Sequence, residues 1–331
     1  MKAVIDRAIP YVKGILEPYA EVLYADGCDF TPAEVADADL LIIRTRTRCD
    51  KALLEGSRVR MIATATIGFD HIDLDYCAAR GIRVVTAAGC NAAGVLQWVA
   101  ATLALLSTDE GWSPQERTLG IVGVGNVGSL VERYARAWGF KVLCCDPPRK
   151  EREGGDFLPL DEVAAKADII TFHTPLDSTT RHLINDDLIK NIPTNGVIIN
   201  ASRGEVASTE ALIKAPQRLC IDVWENEPEI SPALLTKAFV STPHIAGYSA
   251  QGKANASSMV IAAVADEFSL PLKGWYPKEV TPCPRALISW EDMCSTILGH
   301  CDLRGESDHL KRHSADFELI RNTYHYREEF F

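Results

Sequence analysis

Gly123-Val-Gly125-Asn-Val-Gly128 stands directly behind the apolar run Leu119-Gly-Ile-Val122 and opens a helical stretch that continues to Trp138. A G-x-G-x-x-G alone says little. Placed between a strand and a helix, with a further strand at 141–145 that ends on Asp146, it is the dinucleotide-binding arrangement. The glycines let the chain turn sharply and let a pyrophosphate approach the backbone. The helix N-terminus then offers N–H groups and the positive end of a dipole. Asp146 can accept from adenosine ribose hydroxyls and would repel a 2′-phosphate, which favours NAD; Arg149 and Lys150, close behind, leave NADP open. Gly123, Gly125, Asn126, Val127, Gly128 and Asp146 are the expected cofactor contacts.

The rest of the chain agrees with this element. Short apolar runs at 3–5, 40–44, 61–64, 83–85, 168–171, 196–200 and 219–223 alternate with helical stretches. That pattern predicts an α/β fold with parallel sheets. Segment 91–106 is apolar nearly all round and predicts a buried helix; 249–268 predicts a helix rich in small residues. Prolines at 271, 277, 282 and 284 mark a linker. At 331 residues, two domains and a small third are expected. The glycine motif begins late, so 1–90 with 246–270 should form one domain and 91–245 the nucleotide domain, with a C-terminal module at 285–331. The 34 basic and 45 acidic residues leave a net charge of −11, which excludes a general nucleic-acid binder. Apolar runs such as 40–43 and 197–199 fall short of a membrane span. The ten cysteines are scattered without a CxxC and predict reduced thiols in a cytoplasmic protein. His309 and His313 are spaced i, i+4 near His300 and Cys301, but Lys311 and Arg312 lie between them; a solvated helix face is expected, and no metal.

Three patterns in the second half carry chemistry. Asn200-Ala-Ser-Arg203-Gly and Asp222-Val-Trp-Glu-Asn-Glu227-Pro each follow an apolar run, and Thr242-Pro-His244-Ile-Ala-Gly247-Tyr248 puts a histidine on a loop before a helix. Carboxyl ends of strands are where open α/β sheets bind ligands. Their order behind the glycine motif resembles the D-2-hydroxyacid dehydrogenase family, over nearly the whole chain. The resemblance implies a Rossmann-type nucleotide domain, a flavodoxin-like split substrate domain and a small C-terminal α+β module that mediates homodimerisation. It implies a catalytic triad of Arg203, Glu227 and His244. His244 would be the acid/base, Glu227 its partner and Arg203 the fork on the substrate carboxylate. Glu225 is the alternative partner; spacing from Asp222 favours Glu227. Further nucleotide contacts carried over are Thr174, Ala201, Ser202, Arg203, Asp222 and Gly247.

Thr64-Ala-Thr66-Ile-Gly68, Asp146-Pro-Pro-Arg149 and His244-Ile-Ala-Gly-Tyr248 resemble the branch of the family that oxidises a four-carbon, 4-phosphorylated 2-hydroxy acid. It implies substrate contacts at Thr45, Thr66 and Tyr248. Arg44-Thr-Arg46-Thr-Arg48 agrees with this reading. Period-two alternation would put the three arginines on one face of an extended chain, and a phosphate bound to so acidic a protein needs local positive charge. Arg44 and Arg46 are therefore expected at the phosphate. A 3-phosphoglycerate dehydrogenase, a hydroxypyruvate reductase and a nicotinamide-sensing corepressor remain open on the same motifs. Gln97 replaces the family's usual glutamate, and 213–220 is several residues short, with Pro216 cutting its helix.

Overall fold

The computed structural model describes residues 1–331. The chain divides into two compact units, Met1–Asn91 with Ala250–Pro282, and Ala92–Ser249 with Cys283–Phe331.

The first unit holds strands β1 (Lys2–Asp6), β2 (Glu21–Ala25), β3 (Leu40–Ile43), β4 (Met61–Thr64) and β5 (Arg83–Thr86) in the order β2-β1-β3-β4-β5. All pairs are parallel. Successive strand residues point to opposite faces, and both faces are covered. Val4, Leu41, Ile43 and Ile62 pack beneath Val35, Leu54 and Cys77. Ala3, Ile5, Leu40, Ile42 and Ala63 meet Val260, Ile261 and Val264 of the helix Ala250–Phe268. Burial on both sides is why β3 and β4 read as unbroken apolar runs. The strand β2, Glu-Val-Leu-Tyr-Ala, adds an edge to the sheet beyond the runs that the sequence pattern marks, and is only partly buried.

The second unit holds β6 (Thr118–Val122), β7 (Lys141–Cys145), β8 (Ile169–Phe172), β9 (Val197–Asn200), β10 (Arg218–Ile221) and β11 (Val240–Ser241) in the parallel order β11-β10-β9-β8-β6-β7. Beyond β7 there is one isolated bridge, Cys144 to Phe157. The order reverses between β7-β6 and β8, so the glycine turn after β6 sits at the switch point. The two-residue β11 is too short to show a period in sequence. One helix is long and apolar enough to cross a membrane, Ala92–Glu110, and it is 83% buried. Gln97, within it, is buried and donates to the Phe331 carbonyl at 3.4 Å. The short 213–220 segment is a break between the helix Thr209–Lys214 and β10.

The C-terminal residues Cys283–Phe331 belong to the second unit. They form helices Trp290–His300, Leu303–Arg312 and Phe317–Asn322, and their only pairing is a bridge between Ser249 and Arg327. Met293, Ile297, Cys301, Leu303 and Phe331 join the same core as Leu119, Ile121 and Trp98. The Trp290 ring lies 5.6 Å from those of Trp138 and Phe140. The stretch is amphipathic, and its apolar side completes the core rather than building a separate one. All ten cysteines are free; burial pushes the Cys144 and Cys220 thiols up to about 12, so both stay neutral.

Candidate active site

Three adjacent parallel strands, β9, β10 and β11, carry the three chemical loops at their carboxyl ends. After β9, Asn200 builds the first. Its Oδ1 accepts from the Ser202 N–H at 3.1 Å and the Ser202 hydroxyl at 2.8 Å, and its amide donates to the Arg203 carbonyl at 3.0 Å. That accounts for an asparagine three residues before the arginine. Gly204 follows because the backbone approach is too close for a side chain: a Cβ there would overlap the Trp224 carbonyl. The Arg203 loop thus lies against Trp224 of the next loop. The Arg203 guanidinium donates to the Ser202 carbonyl at 2.7 Å and is half-buried.

After β10, the Trp224 N–H donates to Glu227 Oε1 at 2.9 Å. Glu227 Oε2 meets His244 Nδ1 at 2.8 Å. A carboxylate only accepts, so Nδ1 carries the proton and Nε2 of the neutral ring is an acceptor. Burial pushes the Glu227 carboxyl up, but the bond and charge of His244, the Trp224 N–H and Arg321 outweigh it and hold the group below its ordinary value. Glu225 is turned elsewhere, to His182 at 2.6 Å and the Thr209 N–H at 2.7 Å. Of the two candidates, Glu227 is the histidine's partner.

His244 takes a positive φ of 59°, an uncommon region for a side chain with a Cβ. Asp222 holds it there. Its carboxylate accepts from the Thr242 hydroxyl at 2.6 Å, the Ile245 N–H at 2.8 Å and the Ala246 N–H at 3.0 Å, and its carbonyl from the His244 N–H at 2.7 Å. Burial pushes the Asp222 carboxyl up, opposed by His244 and these donors. Trp98 and Trp224 add indole donors to the Thr242 hydroxyl and carbonyl, at 3.1 and 2.9 Å. Sequence reading missed this support, and it missed Arg321, Tyr324 and Arg327. Arg321 Nη1 lies 3.6 Å from Glu227 Oε2, and its Nε donates to the Tyr248 hydroxyl at 3.2 Å. Arg327 donates to the Ala246 carbonyl at 2.7 Å. No local spacing links these residues to the loop they brace.

The glycine turn fits a dinucleotide. Gly123 has φ 83°, and a Cβ would strike the His173 carbonyl at 2.8 Å. Gly125 is the N-cap of Asn126–Trp138, has no side-chain cap, and would find open space around a Cβ. The first-turn N–H groups, Asn126 and Val127 among them, are thus left for an anion. Gly128 packs on the Gly123 carbonyl. Asp146 bridges the turn to the next helix, accepting from the Val124 N–H at 2.8 Å and the Arg149 N–H at 2.9 Å. At the same strand ends, Thr174 Oγ1 and His173 Nδ1 are buried with no partner; burial pushes His173 down to about 3. Orphaned polar atoms beside an uncapped helix are what a cofactor would satisfy. Ser202 is buried with its hydroxyl given to Asn200, whereas Ala201 and Gly247 are half-buried.

In the first unit the phosphate candidates stand at the ends of neighbouring strands. Thr66 follows β4, its hydroxyl 2.6 Å from that of Thr64. After β3 the chain turns at once, the Thr47 N–H donating to the Arg44 carbonyl at 3.2 Å. The expected single face of three arginines is therefore corrected: strand periodicity ends at Ile43. Arg44 pairs with buried Asp6 at 3.8 Å and donates to the Ala8 carbonyl at 3.0 Å. Arg48 pairs with Asp50 at 2.7 Å, while Thr45 and Arg46 are exposed.

A doubly wound sheet with an uncapped glycine turn and an Arg, Glu, His set on adjacent loops defines a hydride-transferring dehydrogenase. The chain belongs to the D-isomer specific 2-hydroxyacid dehydrogenase family, whose NAD binding domain matches residues 96–246, and it is an NAD-dependent dehydrogenase. It is similar along its length to erythronate-4-phosphate dehydrogenase of Bacteroides fragilis (strain YCH46), with 47% identity over 99% of this chain and 97% of the relative. The Porphyromonas gingivalis (strain ATCC BAA-308 / W83) protein of that name is 45% identical over 82% of this chain and 76% of its own. Among solved structures, NAD⁺-bound 3-phosphoglycerate dehydrogenase of Entamoeba histolytica matches with a TM-score of 0.67 and 25% identity, over 83% of this chain and 98% of that one.

Proposed function

We propose that this chain oxidises 4-phospho-D-erythronate to (R)-3-hydroxy-2-oxo-4-phosphooxybutanoate, as a cytoplasmic homodimer serving pyridoxal 5′-phosphate formation. The substrate is taken from the relatives' name. The chemistry rests on one observation above the others, the 2.8 Å contact between His244 Nδ1 and Glu227. It leaves Nε2 to accept the C2 hydroxyl proton. NAD, when bound, takes up the C2 hydrogen as hydride. Arg203 forks onto the carboxylate, and Glu227 stabilises the imidazolium as it forms. Arg44, Thr45, Arg46 and Thr66 bind the phosphorylated acid, together with Tyr248. Gly123, Gly125, Asn126, Val127, Gly128, Asp146, Thr174, Ala201, Ser202, Arg203, Asp222 and Gly247 line the NAD site. Ser202 and Asp222 act there largely through backbone and loop shape, because their side chains are engaged internally.

The test is steady-state turnover of the purified protein on 4-phospho-D-erythronate, 3-phosphoglycerate and D-lactate, with NAD and with 2-oxo acids as acceptors. The highest kcat/KM is expected on 4-phospho-D-erythronate. A preference for 3-phosphoglycerate, or no turnover of any hydroxy acid, would overturn the assignment.

A further inference from the structure

Glu227 Oε2 is shared. His244 Nδ1 reaches it at 2.8 Å and Arg321 Nη1 at 3.6 Å. Arg321 comes from the helix Phe317–Asn322 and also donates to the Tyr248 hydroxyl at 3.2 Å. One guanidinium therefore spans the carboxylate that orients the histidine and the phenol four residues past it. We propose that Arg321 is a positioning residue for the acid/base His244, fixing Glu227 and Tyr248 in one arrangement and setting, through its charge, how strongly Glu227 favours the imidazolium. This rests on the reading of His244 as the acid/base.

Oxidation of a hydroxy acid needs His244 neutral at the start. A lone carboxylate at hydrogen-bond distance favours the protonated ring. A guanidinium on the same oxygen opposes that, because it competes for the carboxylate and repels the imidazolium. The other charged or titratable groups facing the pair do not replace it. Asp222 packs behind the loop with both oxygens hydrogen-bonded. Arg203 lies on the neighbouring β9 loop and bonds the Ser202 carbonyl. Arg327 turns to the Ala246 carbonyl and to the Tyr324 hydroxyl at 3.1 Å, and Tyr324 donates to Glu306 at 2.6 Å. Besides His244, Arg321 is the one cation within ion-pair distance of Glu227.

The experiment is the pH profile of hydroxy-acid oxidation by wild type, Arg321→Gln, Arg321→Lys and His244→Ala, with thermal unfolding as a check on folding. In Arg321→Gln the acid limb should move to higher pH by about 1 unit, because the uncompensated carboxylate keeps the ring protonated for longer. Arg321→Lys, which keeps the charge, should return most of that shift. A merely structural arginine would lower the rate at every pH and leave the limb in place. If Arg321→Gln does not fold, Arg321→Met fills similar space and takes its role. An unmoved limb in the uncharged variant, or an equal shift in Arg321→Lys, would overturn the proposal. Wild-type turnover in His244→Ala would instead overturn the reading on which it rests.

Discussion

Asp222→Asn would change one atom at the base of the histidine loop. Wild-type Oδ1 accepts two donors, the Thr242 hydroxyl and the Ile245 N–H, and Oδ2 accepts the Ala246 N–H. An asparagine with its oxygen at Oδ1 keeps the first two. Its NH₂ then faces the Ala246 N–H, donor against donor, in a buried site. Losing a bond to a charged acceptor costs roughly 1.5–3 kcal/mol. Burial already pushes the Asp222 carboxyl up, so removing its charge returns part of that cost, and about 1.5 kcal/mol is expected. For a domain of this size that is about 3–6 °C in Tm. The linkage has a definite sign. A carboxyl raised in the folded state holds its proton longer there, so wild-type stability falls as pH rises from the ordinary carboxylate range through the raised value. The variant should lack this slope. Because His244 is held at positive φ by the same clamp, kcat should fall with the loop's order. Calorimetry across pH and steady-state kinetics make the measurement. A variant with wild-type Tm, slope and kcat would refute the claim that Asp222 holds the loop.

Gly204→Ala should push the Arg203 loop away from Trp224, and a displacement on the order of 1 Å can cost about 10²-fold; kcat should drop, and NAD affinity, read by fluorescence titration, should weaken with it because Ala201, Ser202 and Arg203 move together. Asp146→Ala should narrow the kcat/KM preference for NAD over NADP and also lower Tm, since Asp146 ties the Val124 N–H to the next helix; comparable use of both cofactors by wild type would refute its role. Arg46→Ala should weaken a phosphorylated substrate about tenfold to a hundredfold, from roughly 1.5–3 kcal/mol, with Tm unchanged. Arg44→Ala should lose stability as well, because it leaves buried Asp6 without its ion pair; equal losses on phosphorylated and unphosphorylated acids would place phosphate recognition elsewhere.

Much of the site was legible because its chemistry is local. The glycine turn, Asp146 and the three loop motifs each lie within a few residues of a strand end, and an apolar run marks every such end except the two-residue β11. The arginine strip misled for a related reason: period two holds only while the chain stays extended, and the Arg44–Thr47 turn begins where β3 stops. Spacing from Asp222 favours Glu227 over Glu225, and the folded loop turns Glu225 to His182 and Glu227 to His244.

The sequence by itself determined the fold class, because alternating apolar runs dictate parallel strands covered on both faces, and it determined the dinucleotide turn, because a Cβ at Gly123 would strike the His173 carbonyl and one at Gly128 the Gly123 carbonyl. Only the tertiary structure decided what braces the chemistry. Arg321 and Arg327 reach the histidine loop from the C-terminal segment, and the helices of that segment enter the second unit's core instead of forming one of their own. A long side chain reports nothing about its partner from its neighbours in sequence, and an amphipathic helix shows that it needs a cover but not which surface provides it.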